Sequence, residues 1–154
     1  MSERLTHIDE QGHAVMVDVS SKPIVRRRAV AESFFHAAAS TLDRIMAGDL
    51  PKGEALAVAR LAGIQVAKRV DAIIPLCHTL PLDHVEVIFE RTASDAIRIE
   101  ASTVVTARTG VEMEALTAVS IAALTLWDMT KAIDKDLSIS GTRLILKEKT
   151  SPDS

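Results

Sequence analysis

The chain has 154 residues, with 18 Lys and Arg against 21 Asp and Glu for a net charge of −3, one Cys, one Trp and no Tyr. That length suits a single domain; 47% hydrophobic and 25% charged residues exclude a chain disordered throughout, and one Cys excludes an internal disulfide and fits a reducing compartment. A negative net charge and only four aromatics (Phe34, Phe35, Phe89 and Trp127) argue against nucleic-acid binding, which draws on cationic surface and stacking platforms.

Met1 to Gln11 is polar and has no apolar signal region, and the longest uncharged run, Ala115 to Trp127, falls short of the roughly 18–20 residues of a membrane span. The expectation is a soluble, cytoplasmic protein: a polar arm over 1–14, one catalytic α+β domain over 15–147 and a polar tail over 148–154. Ala14 to Val19 reads as a first strand, ended by Ser20-Ser21-Lys22-Pro23. From about Arg28 to Met46, Val30, Phe34, Ala38, Leu42 and Ile45 recur at helical spacing, and Gly48 supplies the stop. A second helix runs from about Lys52 to Arg69; its many small residues (Ala55, Ala59, Gly63, Ala67) allow close approach to another element.

Ile73 to Leu82 carries two prolines in an apolar run and reads as a buried, extended connection. Val85–Phe89 and Ile97–Ala101 alternate as a β-hairpin, the second strand continuing toward Thr106. Thr109-Gly110-Val111-Glu112 has the form of a capping box, which starts a third helix at Gly110 or Val111 and carries it to about Ile133. Arg143–Leu146 reads as the last strand. The order β-α-α-β-β-α-β predicts a ferredoxin-like α+β sandwich, a mostly antiparallel sheet with helices packed on one face. The third helix is apolar on all sides between Ala115 and Trp127, which predicts burial against another subunit.

Lys52 in the first turn of a helix opposes the macrodipole; it is either a solvated lysine or, with the free N–H groups, part of an anion site. Cys77 and His78 lie in the Pro-flanked run, where Cys is ordinarily a small hydrophobe and imidazole needs a partner. A lone Cys and His residues without ligand spacing give no metal site. Glu112 and Glu114 both suit a helix N-terminus, and Asp128 and Lys131 pair at i,i+3. The residues alone reach an oligomer with a Lys-, His- and acid-lined cleft for an anionic substrate, and no reaction.

Met16-Val17-Asp18-Val19-Ser20, Lys52-Gly53, Ile74-Pro75-Leu76-Cys77-His78, Thr109-Gly110-Val111-Glu112-Met113-Glu114-Ala115-Leu116-Thr117-Ala118 and Asp128-Met129-Thr130-Lys131-Ala132 together resemble the cyclic pyranopterin monophosphate synthase (MoaC) family of molybdenum cofactor biosynthesis. The resemblance implies a lyase that converts (8S)-3′,8-cyclo-7,8-dihydroguanosine 5′-triphosphate to cyclic pyranopterin monophosphate with release of pyrophosphate. It implies a homohexamer, a trimer of dimers with sites at the dimer interface. It places catalytic residues at Asp128, Lys131 and Lys52, and substrate contacts at Leu76, Cys77, His78, Glu112, Met113, Glu114 and Lys147. No cofactor is called for, and whether Mg²⁺ accompanies the triphosphate is left open. The sequence departs from the family in Thr79 for the usual Pro, in Trp127 for a frequent Tyr, and in lacking a Gly-Gly-Lys-x-Gly loop after Lys147. Rival readings are a non-catalytic scaffold subunit, opposed by the presence of both lysines, and an RNA-binding module, opposed by charge and aromatic content.

Overall fold

The computed structural model describes residues 7–151. Four strands, β1 (Val25–His36), β2 (His84–Ala93), β3 (Ala96–Ala107) and β4 (Ser138–Thr150), form one antiparallel sheet in the order β2-β3-β1-β4. Three helices, α1 (Ala39–Ala47), α2 (Ala55–Ala67) and α3 (Glu112–Thr130), complete an α+β chain with the expected order of elements. Ala29, Ala31 and Phe35 of β1, Val87 of β2 and Ile97, Ile99, Ala101 and Val105 of β3 join one core with residues of all three helices, so the helices share one face of the sheet.

β1 corrects the sequence reading. Helical spacing over Arg28–Met46 predicts one helix, but the stretch is a strand followed by the short α1. A repeat of four is also a multiple of two, so Val30 and Phe34 fit either period. The strand wins because β1 is central, paired with β3 from Val25↔Ala107 to His36↔Ala96 and with β4 on its other side. Ala29, Ala31, Ser33 and Phe35 are all fully buried under the helices, while Glu32 on the other face accepts from Arg98 and Arg143. The strand expected at 14–19 does not form; Ile8↔Ala14 is an isolated bridge, and 15–24 runs as irregular chain. The parts of the arm and tail at 1–6 and 152–154 lie outside the described residues.

The hairpin is as expected, Ser94-Asp95 joining β2 to β3, whereas β4 is longer than 143–146 and its pairing with β1 reaches Thr150. In α2 the small residues Ala55, Ala59, Gly63 and Ala67 are buried at four-residue intervals. They let α2 lie close on α3: a Cβ on Gly63 would stand 3.0 Å from the Ala118 carbonyl oxygen. After α3, Asp134 accepts from the Ala38 amide at 2.9 Å and the Thr41 hydroxyl at 2.8 Å, capping α1 from 96 residues away.

Candidate active site

Two polar clusters lie at opposite ends of α3. At its N-terminal end is a cavity of about 310 Å³, walled by Leu76, Cys77, His78, Glu112, Met113 and Glu114 together with His7, Val17, Val19, Lys22, Leu80, Thr109 and Gly110. The loop that brings Leu76, Cys77 and His78 here leaves α2 through a 3-10 turn at Val70–Ala72. It is closed by Ile74 N–H to Val70 O at 2.8 Å and Cys77 N–H to Ile74 O at 3.1 Å. The Thr79 hydroxyl donates to Asp71 at 2.7 Å, tying the loop back to that turn. The loop is not the buried connection the sequence suggests: Ile73 is 55% exposed and Cys77 and His78 are half-buried. Its apolar residues are shared out: Leu76 and Leu80 line the cavity, while Leu80 and Leu82 also pack against the core.

The helix start also differs from the sequence reading. Val111 is the N-cap, α3 begins at Glu112, and no side-chain cap bond forms, so Thr109 and Glu112 do not make a capping box. Instead the Glu112 carboxylate folds back over Gly110, where a Cβ would collide with it, and pairs with Lys147 of β4 at 3.1 Å. A long-range lysine and a glycine have taken the acid from its local role. Glu114, two residues on, is 4% exposed. Burial, reinforced by the charges of Glu112 and Asp71 against its own backbone amide, raises its carboxyl from 4.5 to about 7. It is therefore poised to give or take a proton near neutrality. Burial, with Glu114 and Asp71 nearby, raises the Cys77 thiol, so Cys77 is a thiol wall and not an activated nucleophile.

At the other end of α3, Asp128 joins the two expected lysines. Lys52 Nζ donates to the Asp128 carboxylate at 3.0 Å and to its backbone carbonyl at 2.9 Å, and Lys131 Nζ stands 2.6 Å from the other carboxylate oxygen. Hydrogen bonds from Lys131 and then Lys52 hold the Asp128 carboxyl below its usual range. The three side chains are exposed, and beside them a second hollow is walled by Leu124, Trp127, Asp128, Lys131 and Ile139. Lys52 is not in the first turn of α2, as its sequence position suggests; it precedes the N-cap Glu54 in a turn, which frees its chain to reach α3.

Within one chain the ten expected residues thus divide seven and three. Glu114 and Asp128 are 14 positions apart on one helix, about 21 Å at 1.5 Å per residue. Along one side α3 leaves Met113, Leu124 and Trp127 exposed. Val17, Val19, Lys22 and Thr109 were not singled out as site residues by sequence reasoning; the only signal for the first two was their place in the Met16–Ser20 motif. Among the described residues no group of three or more His, Cys, Asp or Glu could hold a metal ion, and no helix is long and apolar enough to cross a membrane.

The fold and its two clusters define an α+β protein with a cavity holding a buried carboxyl at one end of a helix and a lysine–aspartate–lysine group at the other. The chain belongs to the MoaC family, whose model matches residues 16–150. Its relatives include proteins named cyclic pyranopterin monophosphate synthase. That of Corynebacterium efficiens is 54% identical over 147 residues, covering 96% of this chain and 94% of that protein. Those of Chloroflexus aurantiacus, 56% identical, and Roseiflexus castenholzii, 53% identical, each align over 144 residues, 93% of this chain and 88% and 91% of theirs.

Proposed function

We propose that this chain is a cyclic pyranopterin monophosphate synthase, the enzyme of molybdenum cofactor biosynthesis that rearranges (8S)-3′,8-cyclo-7,8-dihydroguanosine 5′-triphosphate and releases pyrophosphate. The observation that carries the reading, beside the family, is the pairing of two proton-transfer groups of unlike kind. A buried carboxyl with a pKa of about 7 shares a cavity with an imidazole, and two lysines share one aspartate. The rearrangement needs proton transfers at base and sugar atoms, and departure of pyrophosphate needs neutralising charge. Lys131 serves as general acid/base, positioned by Asp128; Lys52 shares proton transfer and phosphate binding. Leu76, Cys77, Met113, His78 and Glu114 hold the ring system, the last two assisting proton transfer. Glu112 borders the same cavity and pairs with Lys147, and Lys22 adds a cation the sequence did not assign.

The two clusters form one site only if a second copy joins them. Antiparallel packing of α3 against its copy covers Met113, Leu124 and Trp127 and brings Glu114 of one subunit toward Asp128 and Lys131 of the other. We assign such dimers to a cytoplasmic hexamer, a trimer of dimers. Incubation with the cyclised dihydro-GTP tests the activity: release of pyrophosphate with appearance of a pterin is expected. Intact substrate after incubation with correctly assembled protein overturns it.

A further inference from the structure

The imidazole of His78 is held by a group with only one hydrogen-bonding role. Its Nε2 lies 2.8 Å from the carbonyl oxygen of Val17, 61 residues earlier in the chain. A carbonyl oxygen accepts and never donates, so Nε2 carries a proton, and whenever the ring is neutral its lone pair is on Nδ1. Nδ1 has no hydrogen-bond partner among the described residues. The segment that supplies the carbonyl is itself pinned. Asp18 accepts from the Ser20 amide at 2.8 Å, Val19 O accepts from the Lys22 amide at 3.0 Å, and Arg108 Nε donates to Lys22 O at 3.2 Å. Val17, Val19 and Lys22 line the same cavity as His78 and Glu114.

We propose that residues 15–22 are a positioning element of the site: the main-chain carbonyl of Val17 locks His78 in its Nε2–H tautomer, so that the ring meets the substrate through Nδ1 as an acceptor. This deepens, and rests on, the reading of the cavity as the substrate site. An acceptor nitrogen complements a donor, which on a cyclised dihydroguanosine triphosphate is a hydroxyl or a ring or exocyclic N–H. It repels a phosphate oxygen. The polyphosphate is therefore left to the cations, and His78 reads the ring system.

Selective [¹⁵N]histidine labelling of the full-length, ligand-free protein tests the tautomer, the His78 signals being assigned by their loss in His78→Gln. At neutral pH the expected result is a protonated Nε2 and a pyridine-like Nδ1. A bare Nε2, an averaged pair or an imidazolium overturns the proposal. The same variant separates positioning from chemistry, because a Gln amide nitrogen overlays Nε2 and keeps the bond to Val17 while leaving no acceptor at the place of Nδ1. His78→Gln is expected to lose roughly tenfold to a hundredfold in kcat/KM, the worth of one substrate donor left unpaired. Wild-type turnover in His78→Gln reduces His78 to a structural residue and overturns the proposal. The tautomer is read without substrate, so a protein that failed to turn over the cyclised nucleotide would refute the function and leave this measurement standing.

Discussion

Arg98→Ala will destabilise the fold far more than Arg143→Ala, although both guanidiniums grip the carboxylate of Glu32. That side chain is 5% exposed on the helix-free face of β1 and meets Arg98 at 2.6 Å and Arg143 at 2.7 Å. Arg143 is 70% exposed, and a pair so open to solvent is worth about 0–1 kcal/mol. Arg98 is 22% exposed and also holds Glu100 at 2.6 Å; removing it leaves Glu32 with one screened partner. Stripping the partner from a buried charge costs roughly 3–5 kcal/mol, and because Arg143 still pairs with the carboxylate, the cost here is lower, about 2–3 kcal/mol. The pH dependence has a definite sign. The hydrogen bond from Arg98 chiefly, then Arg143, lowers the Glu32 carboxyl below its usual 4.5. Its folded pKa therefore lies below its unfolded one. The stabilisation is present above about pH 4.5 and disappears as pH falls through the folded value. Urea-unfolding midpoints of wild type, Glu32→Gln and the two arginine variants, taken at one protein concentration, measure this. Equal losses for both arginine variants, or a Glu32→Gln deficit undiminished near pH 3, would refute the reasoning.

Three further outcomes are expected. Gly63→Ala gains up to about 1 kcal/mol of helix propensity but drives a methyl against the Ala118 carbonyl at 3.0 Å and Val87 at 3.1 Å. Thermal unfolding should show a net loss of about 1 kcal/mol, and a stabilised variant would show that α2 and α3 are less closely packed than described. Lys52→Ala and Lys131→Ala should each abolish most turnover with unchanged circular dichroism, and Lys52→Arg should fail too, since guanidinium does not surrender its proton; near-wild-type rates would remove these lysines from the mechanism. Sedimentation at micromolar concentration should show no stable species at the 16.6 kDa chain mass, and a persistent monomer would deny the interfacial site.

What the sequence disclosed followed the range of the interactions involved. The β2–β3 hairpin rests on neighbours in the chain, and alternation found it; α3 was placed from a capping box whose bonds do not form, although the helix does. β1 escaped because its four-residue repeat satisfies two periods, and only pairing with β3 and β4 decides between them. Glu112 matched a local motif but is claimed by Lys147, 35 positions later, and Asp134 caps α1 across 96 positions; spacing cannot reveal either. The site divided in the same way. Asp128 and Lys131 are neighbours on one helix and were legible as a pair, whereas Lys52 reaches them across 76 positions and Val17 reaches His78 across 61. The family resemblance supplied those partners in part, because it preserves which residues meet without stating how.

The central claim is a site shared between two copies of α3, and subunit exchange tests it most directly. Glu114→Ala and Lys131→Ala proteins, each inactive alone, are mixed, dissociated and reassembled, and pyrophosphate release from the cyclised dihydro-GTP is followed. Random exchange makes half the dimers mixed, and each mixed dimer holds one intact site of two, so roughly a quarter of wild-type activity should return. No recovery, with exchange proven by mass-tagged subunits, would place both residues in one chain's site and contradict the account.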